Sequence, residues 1–333
     1  MNIALPSPLL TLNKARVNQV IFLLLSFYLI VDMANGFFRL GLGVDVKLSV
    51  VYKSCILILI LISWLSRHVL NIVWATSLVL MLLMSESLNL FTLQASGSMF
   101  GFVVQHIVKL FTPFLTFFWL TQLIREDSTY LRSVHWVIHI NFYVFIANIC
   151  LGLSGFGFST YGGNVDEDSI GVKGFFYAGN EISMLWVVFS AYYLNRIYQQ
   201  QSKFAYVAFA IFAIFVGLMI STKTAILATF LLFIGIPIIL ERSNLFNLTK
   251  GISYFFFLTC VLAIVAGILV YQFILESNLY DRFDFIFRKH GILGIILSGR
   301  NIFLMDLNEM LFSEDSVFRI LFGMGVSFYA DHI

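Results

Sequence analysis

The sequence predicts an all-α fold: a polytopic transmembrane helix bundle with about nine spans and one long extracytoplasmic loop. Three observations carry this expectation. The 333-residue chain is 60% hydrophobic and only 11% charged, where a soluble domain carries roughly 25% charged residues, and its mean hydropathy is +0.92. The apolar residues fall in runs close to the roughly 20 residues that a helix needs to cross hydrocarbon. Most connectors between the runs are short, and only 154–180 and 276–333 are long and polar.

Taken in order, the first run, 17–34, follows Lys14 and Arg16. No small-residue cleavage site comes after it, so a retained first span is expected rather than a removed signal peptide. It is short, which implies tilt or extension by its flank. Further runs lie at 48–65, 69–91, 101–124, 134–153, 181–198, 204–220, 223–240 and 251–275. Residues 1–275 then form a transmembrane domain, and residues 276–333 an extracytoplasmic loop that is incomplete at its C-terminal end. Cys55, Cys150 and Cys260 all lie inside apolar runs, which points to single buried thiols rather than a disulfide framework or a metal site.

Basic residues in short loops set orientation. Lys14, Arg16, Arg67, Arg125, Arg132, Arg196, Lys203, Arg242 and Lys250 fall on one side, and Arg39, Lys47, Lys173 and Lys223 on the other. The richer side is cytoplasmic by this rule. The chain is therefore expected in the cytoplasmic (inner) membrane with its N-terminus inside and both long connectors outside. The same scatter of charge gives no footprint for nucleic acid.

Ser298-Gly299-Arg300 opens a helical pattern from Asn301 to Phe312 in the last connector. A cation in the first turn of a helix meets backbone N–H groups that are already positive, and it becomes favourable when an anion joins it. Helix N-termini bind phosphates for the same reason. Ser221-Thr222-Lys223-Thr224 repeats the arrangement between two apolar runs: Ser221 or Thr222 caps the next helix and leaves Lys223 in its first turn. A lysine snorkelling to the interface would look the same.

In the connector 154–180, eight glycines between Gly152 and Gly179 surround Asp166, Glu167 and Asp168, as in a flexible solvated loop. Asn180 looks like an N-cap, with Glu181 in the following first turn; capping alone would account for both. His106 and Lys109 interrupt the run 101–124, and polar groups inside a membrane usually face the bundle interior. They are candidates to line a headgroup path, although Lys109 lies within reach of the outer end. Lys53 is expected to snorkel. His135 and His139 stand one helical turn apart but lack a third ligand, and they read as interface anchors. Arg319 belongs to the charged set of the last connector. No cofactor or metal motif is present.

These pieces together resemble the bacterial O-antigen ligase and O-antigen or capsular polysaccharide polymerase family. Ser298-Gly299-Arg300 resembles its S-G-R box in the large outer loop, and Phe322-Gly323-Met324-Gly325 the G-x-G that follows. Ser221-Thr222-Lys223-Thr224-Ala225 resembles its T-x-S-R-T-A turn, with lysine where arginine is usual. Tyr177-Ala178-Gly179-Asn180-Glu181 resembles the small-Asn segment opening a middle span. The resemblance covers roughly residues 50–333. It implies an inverting, metal-independent glycosyl transfer from a glycan on undecaprenyl diphosphate, with Arg300 and Lys223 holding the leaving diphosphate. It makes His332 a candidate general base, with Glu181 and Asp331 as competitors, and Ser298, Gly299, Asn180, His106, Lys109 and Arg319 candidate substrate contacts.

A lipid-linked glycan, the surrounding membrane lipid and a chain-length regulator protein are the candidate partners. Polymerase is the first expectation. Ligase of the same family is the alternative, and a lipid-linked oligosaccharide flippase or transporter a second. Family members continue into further spans, so the chain is expected to be truncated or a fragment.

Overall fold

The computed structural model describes residues 14–65, 69–93, 97–161, 170–200 and 202–241, with scattered positions between 261 and 308. The protein is a helical membrane protein. Among the described residues five helices are long and apolar enough to cross a bilayer: Leu48–Leu65, Gly101–Glu126, Tyr130–Phe156, Lys203–Ile220 and Lys223–Leu240. The pair Ala15–Ser26 and Tyr28–Gly41, bent by 41°, makes a sixth if counted as one span.

In chain order the helices are α1 (Lys14–Ser26), α2 (Tyr28–Gly36), α3 (Leu48–Leu65), α4 (Val69–Leu93), α5 (Gly97–Glu126), α6 (Tyr130–Leu151), α7 (Gly179–Gln199), α8 (Lys203–Ile220) and α9 (Lys223–Leu240). π-helical turns extend α2 through Phe37–Gly41 and α6 through Gly152–Phe156. Two strands, β1 (Phe158–Tyr161) and β2 (Ile170–Gly174), pair antiparallel between α6 and α7. The expected run at 251–275 and the long terminal connector lie almost wholly outside the described residues.

The described chain divides into two units. The first comprises residues 14–31 and 46–141, the second residues 32–45 and 142–241.

In the first unit, α1, α3 and α5 bury Ile21, Phe22, Ile56, Ile60, Phe111 and Trp119 together. Lipid tails are as apolar as leucine, so packing and hydrogen bonds must supply the preference for association. Ser63 Oγ donates to Asn18 Oδ1 at 2.9 Å, and Trp119 Nε1 donates to Ser63 Oγ at 3.2 Å, which links the three helices through one polar chain.

The bend between α1 and α2 has a specific cause. Leu29 N–H and Leu25 C=O would form an ordinary i→i−4 bond in a straight helix. Instead the Asn141 amide stands between them: Leu29 N donates to Asn141 Oδ1 at 3.2 Å, and Asn141 Nδ2 donates to Leu25 O at 2.9 Å. A side chain inserted into the ladder in this way kinks a helix without orphaning either group. The expected first span is thus present, broken at Phe27 and extended to Gly41.

Two expectations fail in this unit. Lys53 does not snorkel: it is buried, with its ammonium 4.9 Å from the centre of the Tyr28 ring, where the face of the aromatic quadrupole stabilises the charge. Cys55 is exposed rather than buried, and so is Cys150 in α6. In a membrane the outward faces of spans are apolar too, so an apolar neighbourhood in sequence does not imply an interior place.

The second unit has an aromatic core. Phe145 stacks on Trp186 with centroids 5.5 Å apart, and Phe142 and Phe189 close around them. Trp186 Nε1 donates to Ala213 O at 3.0 Å, which ties α7 to α8. Pro237 inside α9 cannot supply the N–H that the Phe233 carbonyl would accept. The buried Tyr206 hydroxyl of α8 fills the gap, donating to Phe233 O at 2.6 Å.

Candidate functional site

The segment expected as a flexible loop is in part a β-hairpin bound into the second unit. On one side α6 meets backbone polar groups of the hairpin and the residue after it, and on the other a hairpin side chain meets the end of α8. Asn148 reads one edge of the hairpin as a peptide group would. Its Nδ2 donates to Lys173 O at 2.9 Å, and its Oδ1 accepts from Phe175 N at 2.8 Å. Thr160 Oγ1 donates to Ile220 O, the last carbonyl of α8, at 2.9 Å.

Glycine serves close approach here, not mobility. Gly171 has φ +71°, and an added Cβ would stand 2.5 Å from Ile220 O and 2.7 Å from Ser221 Cβ. Gly174 has φ +60°, and its missing Cβ leaves room for the Asn148 amide. The acidic cluster Asp166, Glu167 and Asp168 lies outside the described residues.

The turn from α8 to α9 needs only Ser221 and Thr222. Ser221 takes the left-handed conformation at φ 58°, closing α8 with its N–H donating to Gly217 O. Such a conformation is uncommon outside glycine, and the hydroxyl supports it by donating to Leu218 O at 2.7 Å. Of the two residues the sequence offered, Thr222 is the N-cap of α9, accepting from Ala225 N at 3.2 Å. Lys223 is the first residue of α9 and half-buried.

The N-terminus of α7 meets the same place. Ser183, in its second turn, lies 2.6 Å from Thr222 Oγ1 and also donates to Gly179 O. Gly179 packs directly on Thr160, where a Cβ would stand 2.8 Å from the threonine methyl. The first turns of α7 and α9 are therefore drawn together at the hairpin, each with the positive end of its helix dipole.

Asn180 is not the N-cap. That position is Ala178, extended at φ −111° and ψ 124°, with no side-chain cap bond. Ala178 is the last extended residue before Gly179 opens the helix, so the helix starts two residues earlier than expected, and Asn180 and Glu181 are exposed members of the first turn. Glu181 keeps its expected place near the positive end of α7.

Beside them, the Arg39 guanidinium lies 4.2 Å from the centre of the Tyr177 ring, and its Nε is 3.7 Å from Asp45 Oδ1. Phe37 packs edge-on against Phe175 at 5.4 Å, so the end of α2 covers the chain just after β2.

His106 and Lys109 belong to the first unit and are exposed on α5 rather than turned inward. His106 Nδ1 bonds to Phe102 O of its own helix at 2.9 Å. Arg300, Ser298, Gly299, Arg319 and His332 lie outside the described residues.

Reading the sequence missed Lys173, Asn148, Thr160 and Ser183. Lys173 is the single cation between Gly152 and Gly179, and it is almost fully buried. Desolvation lowers its pKa from the ordinary lysine value. That it stands alone among glycines and acids was the available signal.

The chain matches no protein-family model, no curated protein and no solved structure.

Proposed function

We propose that this protein is a polysaccharide polymerase of the O-antigen or capsule type. In this reading it spans the cytoplasmic membrane with about nine helices, N-terminus inside, and works on the outer face. It transfers a glycan from undecaprenyl diphosphate to a growing chain. The observation that carries the reading is the junction of α7, α9 and the hairpin. Connectors that the charge pattern assigns to the outer face meet there, and two helix N-termini converge where a leaving diphosphate needs positive potential. The family resemblance of the motifs at 177–181, 221–225 and 298–300 supports the same chemistry.

The reaction balances without a redox partner. The acceptor hydroxyl oxygen attacks the anomeric carbon from the face opposite the phosphate. The bond from that carbon to the phosphate oxygen breaks, and undecaprenyl diphosphate leaves with the electron pair. The hydroxyl proton passes to a base. Lys223, as a compact point charge, and Arg300, as a planar fork, hold the departing phosphates. His332 is the first candidate for the base, and Glu181, exposed in the first turn of α7, is the second.

Arg300→Ala and Lys223→Ala in the host strain test the proposal. Surface glycan should collapse to single repeat units while lipid-linked units accumulate. Unchanged chain length in both variants at normal expression would exclude the assignment.

A further inference from the structure

α5 carries two polar side chains on the face it turns to lipid. His106, Lys109, Leu110, Phe114 and Phe117 are exposed and spaced by three and four, so they form one stripe. Phe111, Leu115 and Trp119 lie on the opposite side, in the core of the first unit. A cation on such a stripe is costly unless it reaches the headgroups or meets an anion. Among the described residues no carboxylate forms an ion pair with Lys109.

The length of the helix fixes the depth of the pair. Arg125 and Glu126 close α5 at its other end. His106 and Arg125 lie nineteen residues apart, roughly 28 Å at 1.5 Å per residue, against a hydrocarbon core of about 30 Å. With Arg125 at one boundary, His106 stands at the other and Lys109 less than one turn inside it. Side chains on a helix lean toward its N-terminus, so the lysine stem carries the ammonium back to the level of His106 and the lipid phosphates.

One turn deeper, the stripe borders a cleft. Leu78 of α4 and Leu110, Phe111 and Phe114 of α5 line a cavity of about 220 Å³, and all four are apolar. An apolar cavity of about 150 Å³ already holds a benzene ring, so this one has room for a stretch of acyl chain. Leu78, Leu110 and Phe114 are exposed, so the cleft opens to the lipid. Leu110 and Phe114 follow His106 at steps of four, which sets the cleft below the polar pair, as the tail of a phospholipid lies below its phosphate.

His106 adds a preference. Its Nδ1 is 2.9 Å from Phe102 O, and a carbonyl only accepts, so the proton lies on Nδ1. In the neutral ring Nε2 is then an acceptor, which suits a headgroup hydroxyl and not a phosphate oxygen.

We propose that this face of the first unit binds an anionic phospholipid with a hydroxyl-bearing headgroup, of the phosphatidylglycerol type. Lys109 meets the phosphate, His106 Nε2 accepts from a headgroup hydroxyl, and one acyl chain lies in the cleft against Leu78, Leu110 and Phe114. The single fixed positive charge matches the one negative charge of a phosphodiester rather than the larger charge of a diphosphate. The occupant is therefore a resident lipid of the leaflet and not a glycan donor, and the site does not rest on the polymerase reading.

The test uses the full chain in micelles of a neutral detergent, with native mass spectrometry to count bound dioleoyl phosphatidylglycerol and dioleoyl phosphatidylcholine. The wild type should bind the first about fivefold more tightly, the worth of one cation near a lipid phosphate. Lys109→Leu only adds apolar surface to a lipid-facing stripe, and it should bind both equally; Lys109→Arg should keep the preference. His106→Phe should weaken phosphatidylglycerol but not phosphatidylmethanol, which has the same charge and no headgroup hydroxyl. In the unaltered protein, phosphatidylglycerol with a diazirine in its acyl chain should cross-link to Leu78, Leu110 or Phe114, which needs no variant to fold.

Equal affinity for the two lipids in the wild type, the same preference in wild type and Lys109→Leu, or cross-links only outside the cleft overturns the proposal. Geranylgeranyl diphosphate displacing the bound lipid at lower concentration would make the cleft a path for a diphosphate donor. A dimer buried through α5 would make it a contact between copies. Either result excludes the resident lipid.

Discussion

Replacing Asn148 with leucine removes the amide that holds the hairpin to α6 at nearly constant volume. Two bonds are lost, and they differ in cost. Lys173 O also accepts from Phe176 N at 3.3 Å, so its carbonyl is not orphaned and the loss is the net worth of one bond, about 0.5–1.5 kcal/mol. Asn148 Oδ1 accepts the Phe175 N–H at 2.8 Å, and leaving that donor unpaired costs about 1–3 kcal/mol. Together they come to about 1.5–4.5 kcal/mol against the docked hairpin.

Amide hydrogen exchange reads this locally. Protection at Phe175 should fall by about 10- to 2,000-fold, while Tyr206 and Phe233 in α8 and α9 keep theirs. If protection at Phe175 is unchanged, Asn148 does not hold the hairpin.

Three further outcomes are expected. Tyr206→Phe should destabilise the protein in mixed micelles by about 1–2 kcal/mol, because it exposes the carbonyl that Pro237 leaves unpaired. The cost should shrink in a Pro237→Ala background, where the helix can satisfy Phe233 itself; additivity of the two changes would refute the pairing. Thr222→Val should cost about 1 kcal/mol through loss of the α9 cap, whereas Thr222→Ser should be close to wild type; equal unfolding midpoints for all three would remove the cap. Lys173 has its folded pKa lowered by desolvation, so the unfolded chain binds more protons. Stability should therefore rise as pH climbs from the folded value toward the ordinary lysine value of about 10.4. Lys173→Met should abolish that rise and be the more stable protein at neutral pH. A pH profile identical in wild type and variant would contradict the burial.

How much of this was legible in the sequence depends on how local the cause is. The cap at Thr222 was readable because a side chain bonding three residues ahead needs nothing else. The N-cap of α7 was not, since the helix begins at Gly179, which packs on Thr160 of the hairpin, and the preference of Asn180 does not decide it. Pro237 announces an unpaired carbonyl at Phe233, yet nothing in the sequence names Tyr206 as the donor. Asn141 and Asn148 stand out as polar residues in an apolar run, but their partners, Leu25 and Leu29 for one and Lys173 and Phe175 for the other, are set by packing. The glycines of 152–179 announce unusual backbone without saying whether it is loose or closely packed, and contact with Ile220 and Asn148 decides that. Cys55 and Cys150 were misplaced because lipid rewards apolar neighbours outside as well as inside.

The most direct measurement is product release by the purified protein in lipid vesicles supplied with polyprenyl-diphosphate-linked repeat units. Free polyprenyl diphosphate should appear in step with glycan extension, one molecule for each unit joined, and both should stop together in Lys223→Ala. Extension without release of the lipid diphosphate, or neither in the unaltered protein at full occupancy of the donor, would contradict a leaving group held at the junction of α7, α9 and the hairpin.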